Sequence, residues 1–214
     1  MKFTTIDLNE WERKDCFLHF ISVAKCTYSL TVNVDITRLI SFIKENNYRL
    51  YPSFTWIITK ALNNHQEFKM SFDQDNNLGY YDEISPYYSV LNGKTKNMDS
   101  LYTSYDSEFK QFYKNMTEDM ERYETYNSKS FPAKNFFIVS CLPWLNYTSF
   151  NVTNQGEQQF LSPMVTWGKY VKQGDKILMP LTLQVHHAVA DGYHCSLFYH
   201  DVEEILQNPE AYLK

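Results

Sequence analysis

No apolar run of 18 residues occurs in this sequence, so no membrane-spanning helix is expected. Met1 to Glu10 contains no apolar core of the length a secretory signal needs. Positive charge is not in excess: 20 Lys and Arg stand against 25 Asp and Glu, a formal net charge of -5. That argues against nucleic acid as a partner, because binding a phosphate backbone needs a basic surface. A local basic patch for a small phosphorylated cofactor stays open. Glycine and proline are scarce, 6 and 7 in 214 residues, which excludes a low-complexity or disordered chain. The four cysteines, Cys16, Cys26, Cys141 and Cys195, have no Cys-x-x-Cys spacing, so a zinc ribbon or thioredoxin motif is not indicated. Three Asn-x-Thr triplets start at Asn115, Asn146 and Asn151, and without a secretory signal they carry little meaning. A cytoplasmic protein with reduced thiols is the expectation.

Aromatics are what the chain has in quantity: 17 Tyr and 15 Phe. A dense core with amphipathic tyrosines accounts for them more simply than an aromatic-lined pocket does. The length suits one domain, 1–214, with a sizeable core. No repeat and no linker rich in Gly, Pro or Ser interrupts it. Helix and strand signals mix without a strict βαβα rhythm, which points to an α+β domain.

Asp35 is placed to cap a first helix, with Ile36, Leu39, Ile40 and Ile43 on one face and Asn46-Asn47 at its end. Pro52-Ser53 opens a second helix carrying Phe54, Ile57, Ile58, Ala61 and Leu62. Phe68, Met70 and Phe72 alternate as in a strand, and Asp75-Asn76-Asn77 reads as its turn. A third helix is predicted over Tyr105 to Glu124. The continuous apolar run Phe136 to Val139 predicts a strand covered on both faces. Tyr147 to Val152 and Met164 to Val171 read as two more strands. Gly174-Asp175 turns the chain into a strand over Lys176 to His187, and a last helix follows Gly192 and stops before Pro209.

Four of the six histidines fall between residues 186 and 200. Strand alternation puts Leu181, Leu183, Val185 and His187 on one face and Thr182, Gln184 and His186 on the other. His187 is then delivered inward by the apolar face, where an imidazole suits a general base. Asp191-Gly192 reads as the turn into the last helix. A hydrogen-bonded core histidine is the plainer reading of a lone His on such a face. A zinc site drawn from His186, His187, Asp191, His194 and His200 is disfavoured: adjacent strand residues face opposite ways, and no His-Glu-x-x-His helix exists. Nor is there a Gly-x-Ser-x-Gly nucleophile elbow.

The segment Gln184-Val185-His186-His187-Ala188-Val189-Ala190-Asp191-Gly192-Tyr193-His194 resembles the active-site stretch of the chloramphenicol acetyltransferases. Its His-His-x-x-x-Asp-Gly core is shared with a wider acyltransferase superfamily, so the other segments narrow the choice. Trp11-Glu12-Arg13-Lys14 and Tyr51-Pro52 are similar to family elements. So are Ser140-Cys141-Leu142-Pro143-Trp144, Thr148-Ser149-Phe150-Asn151, Pro163 to Tyr170, Gly174-Asp175-Lys176 and Met179-Pro180-Leu181. The likeness runs from Trp11 to the last helix.

The resemblance implies a mixed β-sheet covered by helices. It implies acetyl transfer from acetyl-coenzyme A to a hydroxyl of chloramphenicol, without a metal, in a homotrimer whose active sites lie between subunits. His187 would be the general base, Ser140 the oxyanion donor, and Thr166 would help hold a water. Arg13 and Asp191 would pair to fix the active-site loop. Phe20, Ala24, Cys26, Met98, Phe150 and Val152 would form the substrate pocket. Trp144 and Tyr170 would contact coenzyme A, with Arg49 and Lys169 as helpers for its phosphates. Ala190, Trp167 and Met98 depart from what the family commonly carries and bear on pocket shape. A related acyltransferase with another hydroxyl or thiol acceptor, and a binding module that has lost catalysis, are the competing readings.

Overall fold

The computed structural model describes residues 1–123, 134–153 and 160–214. β1 (Phe3–Thr5) is followed by a short α1 (Lys14–Leu18), which runs into a π-helical turn at His19–Val23. Then come β2 (Thr27–Asp35), α2 (Thr37–Glu45), α3 (Leu50–Asn63) and a 3-10 turn at Gln66–Lys69. β3 (Met70–Phe72), β4 (Leu78–Tyr81), β5 (Ser85–Leu91), β6 (Met98–Tyr102) and α4 (Phe109–Glu121) follow. The rest is β7 (Phe136–Leu142), β8 (Met164–Gly168), β9 (Val171–Gln173), β10 (Lys176–His186), α5 (Gly192–Gln207) and α6 (Pro209–Tyr212). The main sheet runs β2-β10-β8-β7-β5-β6, with β9 on the start of β10, and a small sheet runs β1-β4-β3. Among the described residues only the β5–β7 and β7–β8 pairs are parallel. The fold is therefore the mixed, helix-covered α+β sheet that the resemblance implied.

The helices form for local reasons. The Asp35 carboxylate accepts from the amide and the hydroxyl of Thr37, closing the start of α2. Asn47, at φ 56°, ends it in a left-handed turn. α3 begins at Leu50, two residues before the expected opening, so Pro52 falls in the first turn, where its missing N–H costs nothing. Every α3 residue from Pro52 to Thr59 is buried. Ser53, Thr55 and Thr59 survive there because each hydroxyl donates to the carbonyl four residues back. α4 is shorter than the predicted 105–124: Asp106 takes the amide of Glu108 and its carbonyl takes the Trp56 indole N–H, which holds the approach in a non-helical turn. Glu124 lies outside the described residues.

β7 lies inside the sheet, between β5 and β8, as its apolar run requires. α2 and α5 lie against the β10 and β2 end, and α3 joins them over β5. Leu181, Leu183 and Val185 close the core on that side.

Phe68 lies in the 3-10 turn, and the strand expected through it begins only at Met70. Two further sequence readings need correction. Tyr147 to Val152 is not a strand. β8, the strand beside it, already has β7 and β10 on its two sides, so no ladder edge is open there. Instead the amide and carbonyl of Val152 pair with the side chain of Gln184. The second correction concerns Met164 to Val171, which divides at Lys169-Tyr170 into β8 and β9. The cause is in the partner strand. β10 pairs with β9 up to Leu178 and with β8 from Leu181, and Pro180, with no N–H to give a ladder, lies in the gap.

Candidate active site

Ser140 on β7 is in register with Thr166 on β8, Thr166 with Thr182 on β10, and Thr182 with Thr31 on β2. Residues in register share a face, so four hydroxyls form one row across the sheet. At one end the row is closed. The Thr31 and Thr182 hydroxyls bond at 2.8 Å, Thr182 donates to the Tyr147 hydroxyl, and Tyr147 donates to the Thr166 carbonyl at 2.8 Å. At the other end Thr166 Oγ1 is buried and makes no hydrogen bond within the described residues, beside the half-buried Ser140. A buried hydroxyl left unpaired costs about 1–3 kcal/mol unless water or a bound molecule meets it. Cys141 offers no nucleophile here, because burial pushes its thiol up to about 12.

His187 is not where alternation alone put it. β10 ends at His186, and His187 is the first residue of the turn that follows. It emerges on the expected side, beside Tyr28, which is in register with Val185. It is half-buried rather than interior, and His186 is the more enclosed of the two at 6% exposure. His186 Nδ1 accepts the amide of Ala188, so His186 ties the turn together. Burial first, and the neighbouring His187 second, lower its pKa. The His187 ring is held by aromatics: Phe20 stacks on it at 3.8 Å with planes 6° apart, and Tyr28 lies at 5.0 Å. Its backbone N–H donates to the Cys26 carbonyl at 3.0 Å, while Nδ1 is buried without a partner within the described residues.

Past the turn, Asp191 caps α5, accepting the amide of Tyr193. Arg13 Nη1 donates to Asp191 Oδ2 at 2.9 Å, joining α1 to the active-site turn. Burial pushes the Asp191 carboxyl up, but the Arg13 hydrogen bond, with the His194 and Arg13 charges, outweighs it, and the net shift is downward. Asp191 is thus a carboxylate and an anchor. Among the described residues no three His, Cys, Asp or Glu side chains converge as metal ligands, and no helix is long and apolar enough to cross a membrane.

Trp144 and Tyr170, 26 positions apart in sequence, stand on segments that the fold joins through their neighbours. The loop after β7 folds over the break between β8 and β9: Lys169 N–H donates to the Leu145 carbonyl at 2.7 Å, and Asn146 Nδ2 to the Lys169 carbonyl at 2.9 Å. Gly168 makes this possible, since a Cβ there would lie 2.6 Å from the Leu145 carbonyl and 2.8 Å from the Tyr147 ring. Trp144 and Tyr170 are left 60% and 45% exposed. Arg49 stands at the start of α3, paired with Glu121.

The candidate residues fall into two groups. Phe20, Cys26, Arg13 and Asp191 gather around His187, with Ala24 exposed at the end of the π-helical turn. Ser140 and Thr166 share the other end of the sheet with Met98, which opens β6 beyond β5. Phe150 packs on Tyr147, and Val152 is pinned to Gln184, between the two. Ser140 stands two strands from Thr182, about 10 Å, and His187 is five residues beyond Thr182, roughly 16 Å along the strand, which leaves about 19 Å between Ser140 and His187. A serine and an imidazole of one chain do not span that gap. Sequence reasoning gave Tyr28 and Tyr147 no part in the site and weighed His194 only as a possible metal ligand. Pro180, by contrast, carried a legible signal, a proline inside an apolar strand.

A histidine leaving a sheet strand into an Asp-capped helix, with the half-buried Ser140 beside the buried Thr166 on the same sheet, fits an acyltransferase of the His-His-x-x-x-Asp-Gly class that the sequence resembles. The family model described as chloramphenicol acetyltransferase matches residues 1–203. A chloramphenicol acetyltransferase of Clostridium perfringens is 41% identical over all of this chain and 99% of its own length. One of Staphylococcus aureus is 36% identical over the whole of both chains. A solved chloramphenicol acetyltransferase superposes with a TM-score of 0.85 at 23% identity, covering 96% of this chain and all of its own. This chain belongs to the chloramphenicol acetyltransferase family.

Proposed function

We propose that the protein, one acetyltransferase domain over 1–214, transfers the acetyl group of acetyl-coenzyme A to a hydroxyl of chloramphenicol and so inactivates the antibiotic. His187 takes the proton from the acceptor hydroxyl as its oxygen attacks the thioester carbonyl. Ser140 donates a hydrogen bond to the oxyanion of the tetrahedral intermediate, and Thr166 holds a water beside it. When the carbon–sulfur bond breaks, His187 returns the proton to the leaving thiolate. Trp144 and Tyr170 receive coenzyme A, Lys169 and Arg49 serve its phosphates, and the acceptor lies against Phe20, Ala24, Cys26, Met98, Phe150 and Val152. The four unpaired cysteines accord with a cytoplasmic setting.

What carries the assembly is the strand register, which sets Ser140 and His187 about 19 Å apart. It supports a site shared between subunits, with His187 of one meeting Ser140 of its neighbour, and the family resemblance makes that assembly a cyclic homotrimer. Family membership and the unpaired Thr166 hydroxyl support the chemistry. The test is release of free thiol from acetyl-coenzyme A with and without chloramphenicol, with the product identified by mass. Thiol release that does not depend on chloramphenicol defeats the reading. For the assembly, inactive His187→Ala and Ser140→Ala subunits are unfolded together and refolded. Random trimers regain about a quarter of the wild-type sites if each site is shared between neighbours, and none if it lies within one chain.

A further inference from the structure

His194 has no part in the chemistry above, yet it is 9% exposed and has a carboxylate at each ring nitrogen. It stands in the first turn of α5, three residues after Asp191. Its Nδ1 is 2.8 Å from Asp191 Oδ1 and 3.2 Å from the Asp191 amide nitrogen. Bare, Nδ1 accepts from the amide; protonated, it donates to the carboxylate. In either state the ring grips the same residue. Its Nε2 lies 3.6 Å from Glu67 Oε1, in the 3-10 turn after α3. Asp191 is therefore held at both oxygens: Oδ2 by Arg13, and Oδ1 by the helix amide of Tyr193 and by His194.

These contacts matter because the turn from His187 to Asp191 is short. Beyond its ring contacts with Phe20 and Tyr28, His187 makes no side-chain hydrogen bond at Nδ1 within the described residues, so its placement also depends on where the turn is pinned. One end is pinned by His187 N–H on the Cys26 carbonyl, and the other by Asp191. We propose that His194 is a positioning residue for acetyl transfer: with Glu67 behind it, it fixes Asp191 and hence the placement of His187. The inference rests on the reading of His187 as the base. A displacement of about 1 Å at a reacting group costs on the order of 10²-fold, so a modest slackening of the turn is visible in turnover.

The test uses two substitutions that keep opposite ends of the imidazole. His194→Asn places an amide where Nδ1 stands and, by turning, either accepts from the Asp191 amide or donates to its carboxylate. His194→Gln places its amide near Nε2, within reach of Glu67 but not of Asp191. Kinetics are referred to folded protein, measured by circular dichroism. We expect His194→Asn to keep kcat within about threefold of the unmutated chain and His194→Gln to lose about tenfold or more. The KM for acetyl-coenzyme A, whose contacts lie on the other side of the sheet, should stay within about twofold in both. Equal kcat in the two variants, whether both preserved or both lost, overturns the proposal, as does a loss confined to KM. The unmutated chain assayed alongside keeps the two ideas apart: if it transfers no acetyl group, the reading of function fails rather than the role of His194.

Discussion

The His187 ring lies flat on Phe20, 3.8 Å between centroids, and this contact with Tyr28 behind it is what orients the imidazole. Removing the proposed base, His187→Ala, should lower kcat by about 10²–10⁴-fold. Phe20→Leu keeps an apolar neighbour but loses the stacking plane. An aromatic pair contributes about 0.5–1.5 kcal/mol beyond its burial, so kcat should fall by up to about tenfold. Steady-state kinetics on the two variants checks this. A His187→Ala enzyme that turns over normally would sink the assignment of the base.

His186 should behave in the opposite way. Its Nδ1 carries the Ala188 amide, so His186→Ala leaves a buried N–H unpaired and should cost about 1–3 kcal/mol of stability with a lesser effect on kcat per folded enzyme. The folded state holds this imidazole at a lowered pKa, through burial and then His187. Its neutral form is the one the fold accepts. Stability from this group is therefore complete above the ordinary histidine range and is lost as pH falls through that range toward the depressed value. Thermal melts between about pH 5 and 8 should show a smaller acid loss in His186→Asn than in the unmutated chain.

At the other end of the sheet, Ser140→Ala should lower kcat by about 10–10³-fold with little change in the KM for chloramphenicol, because the oxyanion exists only past the ground state. Ser149→Ala, on an exposed loop residue, should be far milder. Thr166→Val adds a sharper contrast. The Thr166 hydroxyl has no protein partner among the described residues, so its loss should leave the melting temperature unchanged or raise it while kcat falls. A drop in both would mean that the hydroxyl serves the fold.

The Arg13–Asp191 pair is partly exposed, at 24% and 34% of the side chains, so solvent screens it. Asp191→Asn should cost about 1–2 kcal/mol, less than the roughly 3–5 of a fully buried pair. Asp191 is net depressed in pKa, so this stability is present above the ordinary carboxylate range and is lost as pH falls through the depressed value. The difference in melting temperature between Asp191→Asn and the unmutated chain should shrink in acid. A double-mutant cycle with Arg13→Leu should show non-additivity; strictly additive costs would mean that the two are not coupled.

Much of this was legible in the residues. α2 with its Asp35 cap, the apolar β7 and the start of α5 after Asp191 stand where periodicity and capping placed them. What was hidden depends on long-range partners. β2 is only partly buried and shows no clean alternation, and it is a strand because β10 pairs with it from Asp35 to Thr27. Residues 147 to 152 look like a strand in composition but find no open edge. The face of His187 was read correctly and its depth was not, because alternation does not say where a strand stops. The Arg13–Asp191 pairing, 178 residues apart, came only from family resemblance.

Gly168 has no side chain and takes no part in the reaction. Yet the loop that carries Trp144 rests on the place where its Cβ would be, with the Leu145 carbonyl, the Tyr147 ring and Pro180 all within 2.9 Å of it. An activity screen over random substitutions would therefore score Gly168 as intolerant and rank it with the contact residues. The defect would be one of affinity for acetyl-coenzyme A in a folded enzyme, and no larger residue would relieve it. What the fold requires at that position is an empty volume one methyl group in size.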